Sequence, residues 1–146
     1  MEFVNYMPVY QEELLELLRL NTPVYFAPEE KNDFIHYLEH YSENLYLLKE
    51  NSVIIGCGGI NIKDDPNVVY LSWDIIHPDF HKKGYGSELL AFRINQIKTW
   101  KNIHTIKVRT SQLTYPFYQK HGFILTHQKK DFWAPGFDLY EMALKC

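Results

Sequence analysis

The spacing of apolar residues divides the chain into short alternating segments. Residues 2–6 read as a short strand. Leu14, Leu17 and Leu18 stand at helical spacing within residues 10–20, with Leu15 and Leu20 beside them. Asn21-Thr22-Pro23 breaks that helix, because proline disfavours a helical residue before it. A second helix is predicted from Pro28, with Glu29, Glu30 and Asp33 at the positive end of its dipole and Phe34, Leu38 and Tyr41 as its buried stripe. Leu45–Lys49 and Ser52–Ile62 read as a hairpin turning at Glu50-Asn51, and Val68–Ile76 as the next strand. Residues 87–100 predict a helix with Leu90, Ile94 and Ile97 inward. His104–Arg109 predicts a strand, Gln112–His121 a short helix ended by Gly122, and Phe123–His127 and Asp138–Leu144 two final strands. The order β-α-α-β-β-β-α-β-α-β-β is an α/β layout with a mixed sheet and one strand–helix–strand crossover.

A length of 146 residues predicts one domain spanning 1–146. With 46% hydrophobic and 23% charged residues the chain has the balance of a globular protein, not a disordered or fibrous one. No apolar run reaches the ~18 residues of a membrane span, and the acidic start Met1-Glu2-Phe3-Val4-Asn5 is no secretory signal. Two cysteines, Cys57 and Cys146, cannot form a disulfide framework, so a cytoplasmic location is expected. His36 and His40 are four apart, but Tyr37 stands where a zinc-protease helix would carry Glu, and no metal is expected.

A net charge of −3 argues against nucleic acid as a partner. The charge is uneven: residues 1–66 sum to −8 and residues 67–146 to +5. The basic half suits a phosphate-bearing ligand, and the acidic half would favour a cationic second ligand. An uneven scatter of surface charge would look the same.

The most informative stretch is VVYLSWDIIHPDFHKKGYGSELL, from Val68 to Leu90. A strand ends at His77-Pro78, a loop carries Lys82, Lys83, Gly84 and Gly86, and a helix follows at once. Glycine lets the backbone turn tightly and approach a ligand. The first amides of the helix lack internal partners and make an anion site. This is a phosphate cradle, but neither a Walker loop nor a dinucleotide fingerprint, since position 89 is Leu89 rather than glycine. The earlier Gly56-Cys57-Gly58-Gly59 lies inside a strand and reads as a bulge or close packing.

Pro78-Asp79-Phe80-His81-Lys82-Lys83-Gly84-Tyr85-Gly86-Ser87-Glu88-Leu89-Leu90 resembles the central motif of the GNAT superfamily of N-acetyltransferases, Gln/Arg-x-x-Gly-x-Gly/Ala. Tyr115–Phe123 resembles that family's Tyr-x-x-x-Gly-Phe segment, and Asp138–Leu144 its last strand. The resemblance implies a fold with splayed central parallel strands, here 68–76 and 104–109, and acetyl-CoA as cosubstrate in the gap between them. It implies that the backbone of Asp74, Ile75 and Ile76 pairs with the pantetheine arm. Amides from Lys82, Lys83, Gly84, Tyr85, Gly86 and Ser87 would hold the pyrophosphate. His81 replaces the usual Gln/Arg, and Ser111 stands where many members have an asparagine that contacts the cofactor arm.

Acetyl transfer needs a neutral amine, donors for the oxyanion and a proton for the leaving thiolate. A lysine-like amine of pKa ~10.4 is almost wholly protonated at pH 7, so a base or a water relay matters. By the resemblance Tyr118, four residues before Gly122, is the general acid and also touches the cofactor; Tyr115 is second choice, and a core aromatic is the plain alternative. For the base, alternation puts Leu71, Trp73 and Ile75 on one face of the strand and Tyr70, Ser72 and Asp74 on the other, leaving Asp74 as the carboxylate of the cleft face, in competition with water relays. The acceptor is expected between Val24-Tyr25-Phe26, near Glu29 and Glu30, and Phe132–Phe137. The expected activity is acetylation of a primary amine of a small molecule or protein, by a monomer or homodimer. A non-catalytic coenzyme A-binding sensor or scaffold is the alternative.

Overall fold

Seven strands and four helices form from the segments whose apolar spacing predicts them. The computed structural model describes residues 1–146. The elements are β1 (Glu2–Asn5), α1 (Gln11–Leu20), α2 (Glu30–His40), β2 (Leu45–Glu50), β3 (Val53–Ile62), β4 (Val68–Ile76), α3 (Tyr85–Lys98), β5 (Thr105–Thr110), α4 (Tyr115–Lys120), β6 (Ile124–Ala134) and β7 (Phe137–Lys145). The order read from the sequence is therefore the observed one. All strands join one sheet, β1-β2-β3-β4-β5-β7-β6. Only β4 and β5 are parallel, joined by the α3 crossover, since parallel strands cannot be connected by a tight turn.

Helices cover both faces. Leu14, Leu17 and Leu18 of α1 and Phe34 and Leu38 of α2 pack on Leu45, Leu47, Cys57 and Ile75. Leu90 and Ile97 of α3 and Tyr118 of α4 pack on Ile60, Val69, Leu71, Ile106 and Val108. Burial of one such leucine contributes about 1.5–3 kcal/mol. A ten-residue helix such as α1 is marginal alone, so this packing, not its propensity, keeps it folded.

Four local expectations are corrected. Tyr41 is 52% exposed; it follows the last helical residue with φ −134°, so its side chain leaves the stripe, and Tyr37 is buried in its place. In α3 the fully buried positions are Leu89, Leu90, Arg93 and Ile97, while Ile94 is half-buried. The β2–β3 turn falls at Asn51-Ser52, both with positive φ, the geometry hairpins favour. The strand β6 runs on to Ala134, so Phe132 and Trp133 belong to an edge strand and not to a loop; its polar middle hid it, because residues 124–132 are exposed on both faces.

The fifth correction matters most for the site. Cys57 pairs with Ile75 but Gly59 with Ser72, so β4 carries one extra residue. That bulge holds Trp73 at φ 53°. Trp73 packs with Phe34, Phe26 and Tyr37 on the α1/α2 side, while Asp74 turns to α3 and α4. The strict alternation that grouped Asp74 with Tyr70 and Ser72 is thereby broken.

Candidate active site

The β4–β5 ladder pairs Val68–Leu71 with Thr105–Val108 and then stops. Beyond it the strands part around a cleft of about 680 Å³, walled by Ser72–Ile76 on one side and Arg109–Ser111 on the other. The splay expected from the resemblance is present.

Three side chains meet at the cleft's inner wall, which Asp74 and Tyr118 line and Arg93 backs from the core. Arg93 grips the Asp74 carboxylate in a two-pronged ion pair, Nη1 donating to Oδ1 at 2.6 Å and Nη2 to Oδ2 at 2.7 Å. The Tyr118 hydroxyl also donates to Oδ2. Nη1 of Arg93 donates as well to the carbonyl of Gly59 at 3.1 Å. Arg93 is fully buried, and a side chain at Gly58 would start 2.8 Å from its guanidinium carbon, so glycine there leaves the cation its place. Burial pushes the Tyr118 hydroxyl well above its ordinary pKa, and the Asp74 charge pushes it further. For Arg93 burial works against the charge, but the Asp74 carboxylate overcomes it and the pKa is raised. Nearby, Cys57 is fully buried and its thiol is likewise pushed up by burial.

The cradle forms at the start of α3. Gly84 caps the helix in the left-handed conformation, φ 88°, which a side chain would strain. Lys82, Gly84, Gly86 and Ser87 line the cleft, as does Lys120 from α4. Lys83 and Tyr85 do not. The Lys83 ammonium lies 5.6 Å from the Phe80 ring centre, and the Tyr85 hydroxyl donates to Glu50 at 3.0 Å. His81 lines the cleft but turns back, its Nε2 2.8 Å from the Ile76 carbonyl, and its ring meets Tyr25 edge-on. Asn21 donates to that carbonyl too, at 3.1 Å. Ile75 and Ile76 line the cleft; the Ile76 oxygen already accepts from protein. Ser111, 8% exposed, lines it too; its hydroxyl accepts from the Leu113 amide at 3.3 Å and so helps start α4.

Lys63, Tyr70, Arg109, Trp133 and Phe137 make the outer end, and Tyr25, Phe26 and Glu30 from the α1–α2 connection close the side, Tyr25 reaching His81 of the cradle loop. Glu30 accepts from the Ala27 amide at 2.8 Å, and burial raises its carboxyl pKa. Glu29 is not part of the wall. The β6–β7 tip is latched to the start of α4 by Gln112, which donates to the Gly136 carbonyl at 2.6 Å and accepts from the Asp138 amide at 2.9 Å. Trp133 is fixed by donating to the Thr110 carbonyl at 3.2 Å.

Sequence reasoning missed Arg93, Asn21, Lys63 and Arg109. Arg93 could have been found, since Leu89, Leu90, Arg93 and Ile97 share one helical stripe and an arginine there is either misplaced or paired.

These features agree with comparison to known proteins. The model of the acetyltransferase (GNAT) family matches residues 11–123, and the chain belongs to that family. Over 66 residues the chain is 38% identical to an uncharacterised N-acetyltransferase, ycf52, of Gracilaria tenuistipitata var. liui; the match covers 43% of this chain and 36% of that protein. The ribosomal-protein-S18-alanine N-acetyltransferase of Escherichia coli has a similar fold, with TM-score 0.81 and 14% identity over 99% of this chain and 92% of the other. So has an aminoglycoside 6'-N-acetyltransferase complexed with coenzyme A, with TM-score 0.79 and 15% identity over 99% and 97%. At these identities the likeness to solved structures is one of fold.

Proposed function

We propose that the protein transfers the acetyl group of acetyl-CoA to a primary amine of a small molecule or protein by direct attack, with Tyr118 as general acid. The observation that carries this reading is a phenol held by Asp74, itself gripped by the buried Arg93, in the cleft where the parallel strands part. The cleft suits coenzyme A: its inner end offers helix amides freed by Gly84 and two lysines, Lys82 and Lys120, for phosphates. Acetyl-CoA is a substrate here, supplying an acetyl thioester.

The amine nitrogen bonds to the acetyl carbon while the carbon–sulfur bond breaks, its electron pair leaving with sulfur. Tyr118 gives sulfur its proton, the amine loses one to water, and water restores the phenol. A buried phenol is a weak acid, but the same loss of water raises a thiol's pKa, so donor and acceptor stay matched. The phenolate that forms briefly beside Asp74 is offset by the Arg93 charge, which lowers the cost of releasing the proton. Asp74 accepts from Arg93 through both oxygens and from Tyr118, an arrangement that suits positioning of the phenol rather than the work of a base. Water in the open cleft takes the base's role.

A coenzyme A-binding module without turnover would use the same cradle, and the engagement of the Tyr118 proton by Asp74 favours it. Following thiol release from acetyl-CoA across a panel of amines separates the two: amine-dependent release supports the transferase, and tight binding with no release on any amine supports the module.

A further inference from the structure

The outer end of the cleft sets two cations against aromatic walls. The Arg109 guanidinium lies 5.0 Å from the Phe132 ring centre and 5.9 Å from that of Trp133. Its Nε is buried with no hydrogen-bond partner. The carboxylate beside it, Glu141, stands 3.7 Å away, beyond hydrogen-bond length. Lys63 lies 4.4 Å over the Tyr70 ring and takes part in none of the chain's ion pairs. Burial lowers the Lys63 pKa and the Arg109 charge lowers it further, while Glu141 and Asp64 oppose the shift. The exposed Lys63 is solvated, but the buried Arg109 Nε is left without an acceptor, which is unfavourable unless a ligand oxygen joins it.

Resting on the acetyl-transfer reading, we propose that the acceptor is an amine that also carries a carboxylate, bound by Arg109 and Lys63, with Trp133 and Phe137 flanking the carbons between its two ends. Glu141 stands beside Arg109 and, with Asp64, also acts on Lys63, so little charge is left unmet; what remains is the unpartnered Arg109 Nε, which one carboxylate satisfies and which a doubly charged phosphate over-supplies. This adds a carboxylate to the amine expected near Glu29 and Glu30; Glu29 is outside the wall, and Glu30 is tied to the Ala27 amide.

The test uses 4-aminobutanoate and diglycine, each with its carboxamide, together with 2-aminoethyl phosphate and spermidine. Thiol release from acetyl-CoA is read for the intact protein and for Arg109→Gln and Lys63→Gln. The acids should exceed their amides in kcat/KM by about ten-fold or more, the worth of one charge-assisted hydrogen bond. That preference should shrink toward unity in Arg109→Gln, and through KM more than kcat. Equal rates on acids and amides, a preference for spermidine or the phosphate, or a preference unchanged by Arg109→Gln would overturn the proposal. If coenzyme A binds but no amine is turned over, the transfer reading falls alone. Calorimetry of 4-aminobutanoate on the coenzyme A-loaded protein then decides the subsite: binding lost in Arg109→Gln supports it, and no binding overturns it.

Discussion

Tyr118 and Asp74 lie 44 positions apart in the chain, yet the phenol of one donates to the carboxylate of the other inside the cleft. The bulge at Trp73 turns Asp74 toward α4, and Arg93 fixes it there. Tyr118→Phe removes only the hydroxyl and leaves the ring among Phe117 and Phe123. The fold and coenzyme A affinity should survive while kcat falls ~10²-fold or more, as for a lost general acid. The basic limb of the pH–rate profile should change with it. Steady-state rates against pH on one accepted amine check this, and an unchanged kcat would return Tyr118 to the core.

The buried ion pair gives a stability prediction. Asp74→Asn leaves a fully buried guanidinium without its counter-charge, and Arg93→Met leaves the carboxylate without its own. Asp74→Asn should cost about 3–5 kcal/mol, and Arg93→Met less, because the Asp74 side chain is 20% exposed and opens on the cleft. The double variant should be less destabilised than the two losses added together, because neither charge is then stranded. Denaturant unfolding of all four proteins measures this, and simple additivity would show that the pair does not act as a unit.

Much of this architecture can be read from the sequence, and the reason is periodicity. The stripe Leu14-Leu17-Leu18 and the glycine turn before α3 are local signals, and they place α1 and the cradle correctly. Failures arise where a distant partner decides. Trp73 takes a left-handed conformation because β3 and β4 differ by one residue there, so Asp74 changes face. Arg93 is buried because Asp74 and the Gly59 carbonyl receive it, and none of the three is near another in sequence. The polar run of β6 has no alternation to reveal a strand, since neither of its faces is buried.

At the cradle, Gly84→Val and Gly86→Val should weaken coenzyme A binding more than Lys82→Ala. Gly84 needs its positive φ, and a Cβ at Gly86 would already be in contact with the Phe117 ring at 3.5 Å, so valine's branches would crowd that ring or the space over the helix amides. An isolated lysine contributes ~1 kcal/mol or less in an open, solvated site. Calorimetry ranks the three; a Gly86→Val protein that binds like the wild type would contradict the cradle.

Alkaline pH should destabilise the fold in two stages. Cys57, with an ordinary pKa of 9.0, is raised by burial, and Tyr118, with an ordinary value of 10.0, is raised by burial and by Asp74. Groups whose pKa is raised on folding keep their full contribution below the unfolded value, and it is lost as pH rises past it, because the unfolded chain releases the proton first. Tm should therefore fall from about pH 9 for Cys57 and more steeply above about pH 10, where Tyr118 is joined by Tyr37 and the other tyrosines whose pKa is raised on folding. In Cys57→Ser the first stage should vanish. A first stage that persists in that variant would assign it to other groups.

The most direct measurement follows free thiol from acetyl-CoA as 4-aminobutanoate is added to the wild-type protein and to Tyr118→Phe, with coenzyme A affinity measured on both by calorimetry. The account predicts equal affinity, amine-dependent release by the wild type and release slowed ~10²-fold or more in the variant. Equal affinity with equal release rates would contradict Tyr118 as the acid, and binding without release by the wild type on any amine would contradict acetyl transfer itself.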